Sequence, residues 1–271
     1  MPLPETLTDP ADPRFDDYRD LRAAGAGSTG RHRRDLVVVE GRLSVERLLT
    51  SRYPVRSVLT TPQRSGTVAD LPPGARSLVA TRELLAEVCG FDVHRGVLAA
   101  ATRTPPPTLR EVGHGVRLLA VERVGDAENL GALFRTAAAL GVGGVVLDDR
   151  CADPLSRRAV RVSLGWSLHV PWCTGPSVSR SLQELALAGY RTVALVPGPD
   201  AVAVDAAASR GLLDGRVVLA VGAEGDGLDP ATITAADVQV AVPMAGEVDS
   251  LNVATAFGVV AAYAASRTGW V

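Results

Sequence analysis

The sequence predicts an α/β fold in two parts: a small α/β domain, then a larger one built on a mostly parallel sheet with helices on both faces. Three observations predict it. Short apolar runs of Val, Leu and Ala alternate with stretches of helical spacing along most of the chain. The alternation breaks at Arg103–Thr108, where three successive prolines can continue neither a helix nor a central strand. With 271 residues and 46% hydrophobic content, the chain can bury a sizeable core, and its length fits two domains. These features set an arm at 1–15, a first domain at 16–104, a linker at 105–112 and a second domain at 113–271.

The Pro- and Asp-rich start reads as an extended lead-in. Helical spacing follows at Phe15–Leu21; glycines between 25 and 30 break it, and Arg31, Arg33 and Arg34 form a small basic cluster. Leu36–Glu40 is a buried strand and Ser44–Leu49 a short helix. Val55–Thr60 and Ser77–Ala80 read as strands, Thr81 opens a helix through Val88, and His94–Ala101 returns as a strand. Beyond the prolines come a strand at Val116–Val121, a helix at Leu130–Leu140 and a strand at Gly144–Leu147. Helical spacing marks Leu155–Leu164 and Val178–Ala188. Thr192–Val196, Val217–Val221 and Val238–Val242 are strands, and Leu251–Ser266 is a closing helix rich in Ala and Val.

A formal net charge of −2 argues against coating nucleic acid by bulk electrostatics, so nucleic-acid contact would need a local basic surface. All 28 basic residues are arginines, whose planar forks suit bidentate phosphate contacts. Cys89, Cys151 and Cys173 form neither a disulfide framework nor a metal-ligand spacing, and a cytoplasmic protein without a resident metal is expected. The first ten residues lack the basic start and apolar core of a signal peptide, and no run reaches the ~18 apolar residues of a membrane span.

Three stretches of the second domain carry chemistry. Asn129 precedes the Leu130 helix and can cap it, while Arg135 sits one to two turns along a surface otherwise small and apolar. Such an arginine needs an anionic or polar partner, a need that a structural ion pair meets equally well. The loop Gly222–Gly227 follows a strand, but its glycine spacing is wrong for a dinucleotide fingerprint. Its glycines allow close backbone approach, and Glu224 is the side chain there able to orient a polar group. In the third stretch, Pro243–Asn252, Ser250 is the natural helix cap and Asn252 can offer its amide to a bound group. All three lie where strands end, the place where open α/β sheets bind ligands.

In order and spacing, N-x-G-x-x-x-R-x-A, G-x-E-G-x-G and P-M followed by S-L-N-V, these stretches resemble the SpoU/TrmH family of RNA ribose 2′-O-methyltransferases in the SPOUT superfamily. The resemblance spans about residues 116 to 266. Residues 16–104, with Val39-Glu40-Gly41 and His94-Arg95-Gly96, resemble the ribosomal-protein-like RNA-binding domain found ahead of it in thiostrepton-resistance methyltransferases. The chain departs from the pattern at Ala254-Thr255, where the family usually reads S-V, and at Ala127, where proline is common. The resemblance implies a deep trefoil knot in the second domain, a homodimer, and S-adenosylmethionine held at Val196, Gly198, Gly222, Gly225, Val242, Met244 and Leu251. It also implies that Arg135 faces a ribose, with Asn129, Glu224, Ser250 and Asn252 around it.

The reaction implied is displacement by a ribose 2′ oxygen at a sulfonium methyl group, on structured RNA, ribosomal ahead of transfer RNA. The resemblance implies Arg135 as the proton acceptor, yet a guanidinium holds its proton far above neutral pH. Phosphate clamping or oxygen polarisation is therefore its alternative role. Arg157, Arg158 and Arg161, with Arg31, Arg33 and Arg34, are the candidate phosphate contacts. The competing class is an inactive RNA-binding or ribosome-associated protein on the same fold. Base methylation, the other enzymatic possibility, is disfavoured by the first motif.

Overall fold

The structure, a computed structural model, describes residues 4–21, 35–66, 70–198, 200–246, 248 and 250–268. It divides into two compact units, Met1–Pro105 with Leu155–His169, and Pro106–Pro154 with Val170–Val271. The segment 155–169 thus groups with the first unit, although its sequence position is inside the second expected domain.

The first unit holds strands β1 (Glu5–Thr6), β2 (Leu36–Glu40), β3 (Val55–Thr60), β4 (Arg76–Val79) and β5 (Val97–Thr102), in the order β1-β4-β3-β5-β2. β4 runs parallel to β1 and β3, while β5 is antiparallel to β2 and β3. Helices α1 (Arg42–Leu49) and α2 (Arg82–Cys89) complete it, with a further helix at Arg157–Val162, α5 in chain order. Thr81 caps α2 by accepting from the Leu84 N–H, and Gly90 closes it at φ 75°.

Residues 4–15 of the expected arm at 1–15 belong to this unit. β1 pairs with β4, Leu7, Phe15 and Tyr18 are buried in its core, and Pro13–Tyr18 is a 3-10 helix. The local composition is polar, but these apolar anchors suffice to dock the segment. The Tyr18 hydroxyl, buried under the sheet, donates to the Ser57 carbonyl at 3.0 Å, and burial raises its pKa.

The second unit is a seven-stranded sheet in which every pair is parallel, ordered β10-β12-β9-β11-β6-β7-β8. In chain order its elements are α3 (Leu109–Val112), β6 (Arg117–Glu122), α4 (Ala127–Ala139), β7 (Gly144–Leu147), β8 (Trp172–Thr174) and α6 (Val178–Leu187). There follow β9 (Arg191–Leu195), β10 (Val202–Ala203), α7 (Val204–Ser209), β11 (Val217–Gly222), α8 (Pro230–Thr234), β12 (Val238–Ala241) and α9 (Val253–Thr268). β6, β7 and β11 are apolar along their centres because helices cover both faces. The strands β8 and β10, only three and two residues long, were too short to show a pattern.

The expected linker at 105–112 is partly structural as well. Thr108 and Glu111 form a capping box that starts α3, and α3 places Val112 in the second unit's core beside Leu118 and Leu185. On α9, Val253, Ala254, Phe257, Val260, Ala261, Ala264 and Ala265 are buried, a helical stripe whose small side chains allow close packing against α4 and α7.

Candidate functional site

The order β12-β9-β11-β6 sets the ends of the three motif strands side by side, with β9 between two of them. At ~4.8 Å per step, these four strands span about 14 Å, the width of a small ligand. The loops after β6, β11 and β12 therefore converge at the carboxyl edge of the sheet.

After β6, the helix starts three residues earlier than expected. Asp126 is its cap, accepting from the Glu128 and Asn129 N–H groups at 2.9 and 2.8 Å. Asn129 is therefore inside the first turn, not the cap, and its side chain is released for other contacts. After β12, Ser250 is not the cap either. Asn252 Oδ1 accepts from the Ala254 N–H at 3.0 Å and the Asn252 carbonyl accepts from Ala256 at 2.9 Å, which is the geometry of an N-cap.

An asparagine cap differs from a serine cap in having donors left over. Asn252 Nδ2 donates to Asn129 Oδ1 at 2.8 Å and to Glu224 Oε1 at 2.7 Å. One amide thus joins residues of all three motifs while fixing the start of α9. Ser250 lies two residues away, on the wall of the adjacent cleft.

That cleft measures about 400 Å³. Val196, Gly222, Gly225, Val242, Met244 and Leu251, all expected at a cofactor, line it together with Glu224, Ser250 and Asn252. Three expected residues do not line it: Asn129 reaches its rim only through the Asn252 amide at 2.8 Å, and Gly198 and Arg135 stand apart. Gly198 is exposed at φ 125° just beyond Pro197, which does line the cleft. Arg135 is exposed on α4 and has no hydrogen-bond or ion-pair partner among the described residues. Six residues from Asn129 advance the helix by 240° net and about 9 Å, so the two side chains leave α4 in different directions.

Gly222 has no room for a side chain: a Cβ there would lie 2.2 Å from the Gly227 carbonyl carbon. The chain from Ala223 to Gly227 folds back on itself, closed by the Gly227 N–H to the Ala223 carbonyl at 3.0 Å, with Gly225 at φ 87° and Gly227 at φ 66°. A volume within the ~300–1,000 Å³ of small-molecule sites, aliphatic walls and a few polar groups at the rim fit a nucleoside-bearing methyl donor.

The sequence did not single out Glu122, Arg123 and Asp148, which together with Asp229, read only as the start of the helix at Pro230, brace this loop. Glu122, 3% exposed, accepts from the Asp229 N–H at 2.7 Å and from the Thr232 hydroxyl at 2.6 Å. Two charged residues closing the apolar run of β6 were the available signal. Nearby, burial pushes the Cys151 thiol up to about 12; Cys89 and Cys173 are likewise raised by burial, and all three cysteines are free. No three His, Cys, Asp or Glu side chains cluster as a metal site among the described residues.

Of the candidate phosphate contacts, Arg31, Arg33 and Arg34 lie outside the described residues. Arg157 is turned inward: its guanidinium stacks 4.2 Å from the Phe91 ring centre with Nη1 buried, and that burial lowers its pKa. It is therefore taken up by packing. Arg158 is exposed and Arg161 half-buried on the same short helix.

The model of the SpoU rRNA Methylase family matches residues 117–262. An uncharacterized tRNA/rRNA methyltransferase of Mycobacterium tuberculosis is 41% identical over 98% of this chain and 92% of its own length. One of Synechocystis is 35% identical over 72% of this chain and 68% of its own. Among solved structures, an AdoMet-bound rRNA methyltransferase of Sinorhizobium meliloti superposes with TM-score 0.79 at 24% identity, covering 97% of each chain. The SpoU methyltransferase AviRb of Streptomyces viridochromogenes does so with TM-score 0.74 at 24% identity, covering 94% of this chain and 97% of AviRb. An RNA 2′-O ribose methyltransferase gives TM-score 0.75 at 24% identity, covering 97% and 99%.

Proposed function

The chain belongs to the SpoU rRNA Methylase family, and we propose that it transfers a methyl group from S-adenosylmethionine to a ribose 2′-hydroxyl of structured RNA, ribosomal ahead of transfer RNA. The observation that carries this reading is the Asn252 amide, which ties Asn129 and Glu224 to the rim of the cleft. The S. meliloti structure was solved with AdoMet, and another structural relative is described as acting on the ribose 2′-oxygen. The expected trefoil knot, homodimer and cytoplasmic setting belong to the same reading; the placement of the last strand, β12, between β10 and β9 is in keeping with a knotted path.

When bound, the cofactor supplies an electrophilic methyl group on a sulfonium. Val196, Val242 and Leu251 give the cleft apolar walls for a flat base, and Gly222 and Gly225 let the backbone approach it. At the rim, Glu224 Oε2 and Asn129 Nδ2 make no hydrogen bond among the described residues, leaving one acceptor and one donor for polar groups of ligand or RNA. Arg135, exposed and outside the cleft, addresses the incoming ribose, either by taking its proton or by fixing an adjacent phosphate.

The roles separate in Arg135→Lys and Arg135→Ala under single-turnover conditions. Affinity for S-adenosylmethionine stays within about twofold of wild type, while methyl transfer falls by at least about 100-fold in Arg135→Ala. A shifted limb in the pH–rate profile of Arg135→Lys assigns the proton, and weakened RNA binding alone assigns the phosphate. Failure of the wild-type protein to bind S-adenosylmethionine would overturn the enzymatic reading in favour of an RNA-binding protein.

A further inference from the structure

Arg123 has no part in the motifs, yet its backbone stands at φ 58°, a left-handed conformation that a non-glycine residue occupies only when its surroundings hold it there. Two sets of bonds do so. Its N–H donates to both carboxylate oxygens of buried Asp148 at 3.1 Å, anchoring the end of β6. Its guanidinium, 19% exposed, crosses to the loop after β11, where Nη2 donates to the Gly227 carbonyl at 3.0 Å and pairs with Asp229 at 3.0 Å. Nε is buried without a partner, so the side chain has been drawn out of water for those two contacts.

The Gly227 carbonyl is the point at which the Ala223–Gly227 turn presses on Gly222. That turn carries Glu224 to the Asn252 amide. Arg150 closes a ring of charges around the same place, pairing with Asp229 at 3.4 Å and with Asp148 at 3.7 Å. A left-handed backbone at 123 swings the side chain toward the neighbouring strand's loop, where an extended residue would continue along β6.

We infer that Arg123 is a positioning residue of the methyl-donor site: it clamps the Ala223–Gly227 turn through the Gly227 carbonyl and Asp229, and so fixes Glu224 at the cleft. This inference rests on the reading of that cleft as the S-adenosylmethionine site. Stability and site geometry part company at this residue. Arg123→Gly keeps the N–H to Asp148, relieves the left-handed backbone and removes only the clamp.

The test compares wild type, Arg123→Gly, Arg123→Met and Arg123→Lys by amide hydrogen exchange, titration with S-adenosylmethionine and thermal melting. In Arg123→Gly the Gly227 amide is expected to exchange at least about tenfold faster, and the dissociation constant for S-adenosylmethionine to rise about tenfold. Its melting temperature stays within about 4 °C of wild type. Arg123→Met loses the clamp and keeps the strain, so it loosens the turn equally and melts lower, whereas Arg123→Lys recovers part of the affinity. Wild-type exchange and affinity in Arg123→Gly would overturn the inference. So would an affinity loss that tracks melting temperature across the variants, with no recovery in Arg123→Lys. Ala256→Phe, which fills the cleft wall, checks the underlying assignment: unchanged affinity there overturns the cleft as the donor site and with it the functional half of this inference, while the exchange of Gly227 in Arg123→Gly still decides whether the clamp exists.

Discussion

The centre of the site is a single amide used at both ends. Asn252 Oδ1 caps α9 and Asn252 Nδ2 gathers Asn129 and Glu224, a combination that neither serine nor aspartate can supply. Asn252→Asp is the discriminating change. Aspartate caps a helix as well as asparagine does, so melting temperature changes by less than about 4 °C. Its carboxylate would then lie against that of Glu224, where the amide nitrogen stands 2.7 Å away. Two carboxylates at that distance repel, raising the pKa of one of them and breaking the link to Asn129. Methyl transfer at neutral pH is expected to fall by at least about tenfold and to recover partly toward lower pH. A variant with wild-type rates across the pH range would show that the triple contact is incidental.

At the scale of elements, the start of α4 matters more than its length. Asp126 satisfies two of the helix's unpaired N–H groups, which leaves Asn129 free for Asn252. Asp126→Ala is expected to cost about 1 kcal/mol in urea denaturation and to weaken S-adenosylmethionine binding along with it. A loss of stability with unchanged binding would mean that α4 positions Asn129 without the cap. The edge strand β1 offers a pH test. Arg14 donates to Asp12 and Glu5, with Arg76 also on Glu5, and these bonds hold Asp12 down to about 2 and Glu5 below its ordinary 4.5. Carboxylates depressed in the folded state stabilise it fully above their unfolded values and stop doing so as pH falls through the folded ones. The melting-temperature gap between wild type and Arg14→Gln is therefore largest above pH 4.5, closes toward pH 2 and shrinks with salt. A gap constant over that range would remove the ion pairs as its cause.

At the scale of the whole molecule, the strands most legible in the sequence were those with uniformly apolar interiors, such as Arg117–Glu122 and Val217–Gly222. Position in a buried sheet imposes a composition that survives without knowledge of partners. The convergence of the three motifs was legible for the same reason, since each follows a strand. What was not legible depends on distant residues. Ser250 and Asn129 have the chemistry of caps, but Asn252 and Asp126 hold those places because tertiary contacts set where each helix begins. The docking of residues 5–18, the inward turn of Arg157 and the Arg123 clamp likewise require partners up to 106 positions away, from Arg123 to Asp229. An acidic chain with only arginine for positive charge also leaves RNA binding to local surfaces that composition cannot locate.

The most direct test of the central claim is transfer of labelled methyl groups from S-adenosylmethionine to total RNA of a strain lacking this gene, followed by mapping of the modified nucleotide. The account predicts label on the 2′-oxygen of one ribose in structured RNA, ribosomal ahead of transfer RNA, and its loss in Arg135→Ala. Label on a base, or no label from a protein that binds S-adenosylmethionine, would contradict it.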